Sequence, residues 1–204
     1  MQPIDGASWL PTEDFGEVDR LESEAVVTSF YQVGIPLWPE HSAYVIRAAD
    51  GSEQRIRIPL HTRSVVLGYL RAPLWMTTLI LGIPALLMPA RWLPLLIPAA
   101  LLGVLAAVLT FAAGRLAEGE LLRRSLLRRV VGFGAPPELL TAPLRAEIRA
   151  QLELMWRTRS PSTGWIEAID RGEPAEILVA LAEYHQDGEL LARAHANLAN
   201  RVWN

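Results

Sequence analysis

Four histidines are the side chains of this chain suited to exchanging a proton near neutral pH. His41 lies in a Pro-Glu-His-Ser turn, and His61 follows Pro59-Leu60 just ahead of a long apolar stretch; both positions predict surface or interface residues. His185 and His195, with Glu183 or Glu189 nearby, are the one grouping that offers donors to a metal. They carry no His-x-x-x-His or Glu-x-x-His spacing, the arrangement that puts two ligands on one helix face. A core His195 packed on Tyr184 is therefore the expectation. The chain has no cysteine, which removes disulfides, thiolate metal sites and cysteine nucleophiles. There is no glycine-rich phosphate loop, no dinucleotide fingerprint, no Gly-x-Ser-x-Gly elbow and no pair of carboxylates in a catalytic frame. The expected set of catalytic, cofactor-binding and metal-ligating residues is empty.

What must carry the function is the distribution of apolar and charged residues. The 204 residues include 22 acids and 19 basic residues, all arginine, for a net charge of −3. That balance excludes a protein built to coat nucleic acid. From Ala72 to Gly114 the one charged side chain is Arg91. About 20 apolar residues cross about 30 Å of hydrocarbon, so this stretch reads as two spans, about 69–88 and 93–114, divided at Met88-Pro89-Ala90-Arg91-Trp92. Neither span contains Asp, Glu, His or Lys, which removes the usual relays and ion ligands of pumps and transporters. Pro84 predicts a kink in the first span, and Pro94 and Pro98 fall in the first turns of the second. Ala99, Gly103 and Ala107, at intervals of four, form a ladder of small residues that lets helices approach closely. Trp75 and Trp92 are expected at the membrane interface.

Arginines flank the spans: Arg55, Arg57, Arg63 and Arg71 before them, and Arg115, Arg123, Arg124, Arg128 and Arg129 after. The positive-inside rule places both termini in the cytoplasm. Residues 1–23, acidic with scattered Pro and Gly, read as a flexible tail. Residues 24–63 read as a small β unit of about three strands with a hairpin turn at 49–52, where Asp50-Gly51 separates alternating runs. Ser64 looks like the N-cap of the helix that leads into the first span. Residues 115–135 form an Arg-rich juxtamembrane helix and linker, in which Leu122, Leu126 and Val130 share a stripe; Arg123, Arg124, Arg128 and Arg129 are its candidate contacts with the membrane interface. Residues 136–204 read as a helical tail. Within it Leu144, Ile148, Leu152, Met155 and Trp156 line one face, and an antiparallel helical hairpin ends the chain with Leu191, His195, Leu198 and Val202 facing inward.

The expected fold is a mainly α membrane protein: a two-helix transmembrane hairpin with a small N-terminal cytoplasmic β unit and a C-terminal cytoplasmic α-helical tail. The expected function is a non-enzymatic integral subunit of a bacterial cytoplasmic membrane that anchors or scaffolds a larger assembly. Its expected partners are the lipid bilayer and either further copies or other membrane subunits, without nucleic acid. One alternative is a homo-oligomeric pore lined by Thr77, Thr78 and Thr110. Another is a membrane-attached metal-binding enzyme or sensor using His185 and His195.

Overall fold

The computed structural model describes residues 12–32, 36–88, 92–112 and 114–202. The first eleven residues of the acidic segment, and Pro89, Ala90 and Arg91 of the expected inter-span turn, lie outside the described residues. The chain divides after Leu116 into two compact units. The protein is mostly helical, with a small antiparallel sheet at its N-terminal end.

The first unit opens with a four-stranded meander in the order β1-β2-β3-β4: β1 Thr12–Leu21, β2 Glu24–Gln32, β3 Pro36–Arg47 and β4 Glu53–Ile58. The sheet thus has one strand more than expected, because 12–21 is not a tail. Its acids belong to a strand whose Val18 and Leu21 are buried and whose carboxylates meet arginines of the neighbouring elements. Lack of a clean alternation hid it. The β1–β2 register slips on both sides of Val18, and Asp19 adopts a left-handed φ of 54°, so the period of two is interrupted. Asp50 and Gly51 form the β3–β4 turn: the Asp50 carboxylate accepts from the Ser52 amide at 2.9 Å, and Gly51 supplies a φ of 84°.

One sheet face packs on the first long helix, α1 Thr62–Leu87. It contributes Val26, Phe30, Tyr44, Ile56 and Ile58, with the Phe30 and Tyr69 rings edge to face at 5.1 Å. Inside this apolar layer Thr28 hydrogen-bonds Ser42 and donates to Ser64, each at 2.8 Å. Ser64 is accordingly not the N-cap; His61 holds that position, and the Ser64 hydroxyl is spent on the sheet. The opposite face presents small side chains, Ala25, Val27, Ala43 and Val45, all buried. Arg55 of β4 reaches Asp14 of β1 at 2.8 Å across the two intervening strands, so the sheet must curl over this face.

Leu93–Leu95 forms a single 3-10 turn that leads into α2 Leu96–Phe111. Thr62–Leu87 and Leu93–Phe111 are long and apolar enough to cross a membrane, and only 11% of the most apolar window of each is buried within the protein. Pro73 and Pro84 lie inside α1, which runs on through both. Pro94 occupies the first 3-10 turn and Pro98 the first turn of α2, where an absent N–H costs nothing.

The second unit contains α3 Glu118–Val131, a 3-10 turn at Pro137–Leu139, α4 Ala142–Arg159, α5 Trp165–Asp170, α6 Glu176–His185 and α7 Gly188–Val202. Its centre is α6, of which every residue from Ile177 to Tyr184 is buried. The Arg-rich helix α3 packs on α6 within this unit. The expected linker is also interior: Ala135 is fully buried and its carbonyl accepts from the Tyr184 hydroxyl at 3.1 Å.

Three faces differ from the expected stripes. On α3, Leu126, Leu127 and Arg124 are buried, whereas Leu122 is 68% exposed. On α4, Met155 points outward while Ile148, Leu152 and Trp156 are buried. On α7 the inward residues are Leu190 and Ala194 rather than Leu191 and His195. Asp187 receives the Glu189 amide at 2.9 Å at the start of α7.

Candidate functional site

The hairpin of α1 and α2 is antiparallel and packed through small residues. Ala85, Ala99 and Ala106 are buried at its seam. A Cβ added to Gly103 would stand 3.2 Å from Thr78 Cγ2, and one added to Gly82 would meet Ala99 Cβ at 3.9 Å. Of the expected ladder, Ala99 and Gly103 lie on the seam; Ala106 takes the place expected of Ala107, because a 3.6-residue period advances the seam by three as well as four. Thr78 and Thr110 bond back onto their own helices, to Leu74 O at 2.8 Å and Ala106 O at 2.7 Å. These hydroxyls are satisfied within the hairpin, while Thr77 is exposed.

The outer faces are a belt of large apolar side chains. Leu79, Ile80, Ile83, Leu86 and Leu87 on α1, and Ile97, Leu101, Val104, Val108 and Phe111 on α2, are each at least half exposed. Such a belt is far from the surface of a water-soluble monomer, where apolar patches are small. Trp75 donates to Thr110 Oγ1 at 3.3 Å, near the C-terminal end of α2, and Trp92 precedes the N-terminal end of the same helix. The two indoles therefore mark opposite ends of the belt.

Where the hairpin meets the sheet, Arg71 closes it. Its guanidinium donates to Leu109 O at 2.9 and 2.7 Å, to Glu17 O at 2.7 Å and, at 3.5 Å, to Thr110 O. Leu109 and Thr110 carry carbonyls of the last turn of α2, at the negative end of its dipole. One buried side chain thereby joins α1, α2 and β1. The sequence showed Arg71 as one of four flanking cations and gave no sign of this clamp; the available signal was a charge set between apolar Leu70 and Ala72 in a helical register.

Two polar rows cross the sheet. Ser29 donates to Asp14 at 2.8 Å and lies 3.5 Å from His41 Nε2, while Glu40 stands 3.7 Å from His41 Nδ1. The order Glu, His, Ser has the form of a hydrolytic triad, but the Ser29 hydroxyl donates its hydrogen bond to Asp14 and is buried in a strand paired on both sides. His61 faces Asp19 at 3.9 Å, and Asp19 also accepts from Arg63 at 3.1 Å.

In the second unit, the arginines expected to face lipid are engaged by carboxylates. Arg123 pairs with Glu183, with Glu138 at 2.7 Å and with Glu120 at 3.3 Å. Burial works against its charge, yet the hydrogen bonds it donates to Glu183 and Glu138, with their negative charge, outweigh burial and push the guanidinium pKa up. Burial, then the charges of Glu183 and Glu138, push the Tyr184 hydroxyl up as well. Arg124 is buried against Glu120 at 2.9 Å, and exposed Arg129 bonds Glu176 at 2.8 Å. Arg128 is half-buried on the same helix and also has a partner. Arg123 and Arg124 are thus both held in ion pairs, Arg124 buried and Arg123 partly exposed.

The metal-site expectation rested on His185 and His195. His185 packs its ring edge to face on Trp165 at 5.3 Å, whereas His195 is exposed at the rim of a groove of about 510 Å³ floored by Leu122, Leu126 and Leu191. His195 therefore does not pack on Tyr184 in the core. Among the described residues no three His, Asp or Glu side chains are grouped to hold a metal ion. No protein-family model, no curated protein and no solved structure matches this chain.

Proposed function

We propose that this chain is a non-enzymatic integral membrane subunit of a bacterial cytoplasmic membrane. The α1–α2 hairpin is its anchor and both termini face the cytoplasm. The sheet of the first unit and the helices of the second are docking modules for further copies of the chain or for other membrane proteins. The observation that carries the reading is the apolar belt: two helices of membrane-spanning length meet each other along a narrow seam of small residues and leave nearly all their large apolar side chains uncovered. Hydrocarbon satisfies such a surface where water does not. The spans hold no Asp, Glu or His, and the threonines at the seam are bonded within it, which favours an anchor over a conduit or relay.

Alkaline carbonate extraction of membranes tests the anchor, with the protein expected to remain in the pellet. Because the chain has no cysteine, an Ala90→Cys variant reports topology cleanly, and labelling from the cytoplasmic side alone would overturn the assigned orientation. The subunit role requires that the protein, purified in mild detergent, run as a homo-oligomer or in a complex of fixed stoichiometry by mass measurement. A stable monomer at low concentration refutes it.

A further inference from the structure

Resting on the membrane reading, we propose that the foot of the hairpin in the first unit is a docking surface for the headgroup of an anionic phospholipid. Arg115 receives the headgroup with help from Arg20 and Arg63. Residues 17–20 of β1 are the hub. Arg71 bonds Glu17 O at 2.7 Å, Arg63 bonds the Asp19 carboxylate at 3.1 Å, and Arg20 pairs with Arg115 through a parallel bridge in which the Arg20 amide donates to Gly114 O at 3.3 Å. Three separate chain segments thus bring arginines to one short stretch at the end of the apolar belt.

Charge there is unbalanced. Among the described residues Arg20 pairs with Glu17, which Arg47 shares, and Arg63 with Asp19, while Arg71 and Arg115 add two further cations beside them. Arg71 is buried with only carbonyl partners, and exposed Arg115 has no ion-pair partner among the described residues. A buried cation without a carboxylate leaves a positive field that an anion at the surface relieves. Arg115 follows the C-terminal end of α2 by four residues, at the level where a membrane presents its headgroups. A phosphate ester carried on acyl chains meets both the guanidinium above and the exposed apolar flank of α2 below, where Val108 and Phe111 lie. Arg123, Arg124 and Arg129 of α3, by contrast, are occupied by carboxylates of their own unit.

The test uses the full chain in mild detergent, titrated with phosphatidylglycerol or phosphatidylcholine and read by native mass spectrometry. Phosphatidylglycerol is expected to be retained in preference. Arg115→Gln, at an exposed position, should lower its affinity about fivefold, and Arg115→Gln with Arg20→Gln about 25-fold. Arg129→Gln should leave it unchanged, and excess inorganic phosphate should not displace the lipid. Equal retention of the two lipids, a parent-like Arg115→Gln, an equal loss in Arg129→Gln or displacement by phosphate alone would each overturn the proposal. Carbonate extraction of the same variants separates this from the anchor reading. A chain that leaves the membrane refutes the anchor, and one that stays without preferring phosphatidylglycerol refutes the headgroup site alone.

Discussion

Replacing Arg71 by methionine keeps most of the apolar stem and removes the guanidinium that joins α1, α2 and β1. Three short bonds of 2.7–2.9 Å are lost, two to Leu109 O and one to Glu17 O. Bonds to a charged group contribute about 1.5–3 kcal/mol each, so the gross loss is about 4.5–9 kcal/mol. Against this, the native guanidinium gave up its water on folding at a cost of several kcal/mol, which methionine does not incur. The net destabilisation is therefore about 3 kcal/mol, a shift of about 100-fold in the unfolding equilibrium. Equilibrium unfolding of the detergent-solubilised full chain, followed by tryptophan fluorescence, measures it. Arg71→Lys should recover part of the loss, because an ammonium cannot fork between carbonyls as a guanidinium does. Arg63→Gln is the control. Its side chain is 50% exposed, and buried Asp19 keeps His61 beside it at 3.9 Å, so the cost should stay well below that of Arg71→Met. If Arg71→Met lay within about 0.5 kcal/mol of the parent, or if Arg63→Gln cost as much, the clamp would not be what holds the foot of the hairpin closed.

Gly103→Ala should destabilise the hairpin by about 1 kcal/mol, since the new Cβ would stand 3.2 Å from Thr78 Cγ2; in a Thr78→Ser background the same change should be close to neutral, and equal costs in both backgrounds would refute the contact. Glu183→Gln leaves Arg123 with Glu138 and Glu120 but removes its most buried partner, so thermal unfolding should show a loss of about 2 kcal/mol, whereas Arg129→Gln at the exposed pair should cost less than about 0.5 kcal/mol. Tyr184 holds its proton more tightly when folded than when unfolded, so its contribution is fully present below the ordinary tyrosine value of 10.0 and is lost as pH rises above it toward the raised folded value. Stability should fall there by up to about 1.4 kcal/mol per pH unit, and Tyr184→Phe should flatten that slope.

How much of this was legible in the sequence varied with the kind of signal. The apolar run from Ala72 to Gly114 needed no partner to be recognised, since length and lack of charge are local properties. The β3–β4 turn was legible for the same reason, in Asp50-Gly51 between alternating runs. The first strand was not, because bulges around Val18 and the positive φ of Asp19 destroy the alternation that marks a strand. The inward face of α3 was misread where charge stood in for exposure, and that of α7 was read one residue late. Arg124 is buried because Glu120, one turn earlier, neutralises it, and His195 is exposed because Leu190 and Ala194 fill the contact with the rest of the unit.

By itself the sequence determined which segments are apolar enough to leave water and which carry the charge that borders them, because both follow from composition along a short window. Only the tertiary structure decided which arginines remain available. Ion pairing depends on which carboxylates the fold brings within reach, from Glu138 and Glu183 at Arg123 to Glu17 and Asp19 beside Arg20 and Arg63, and those partners lie up to 60 residues away along the chain. Charge density is a sum over neighbours in sequence, while electrostatic function is a sum over neighbours in space. The two diverge most at Arg71, a flanking cation by composition and a buried clamp by position.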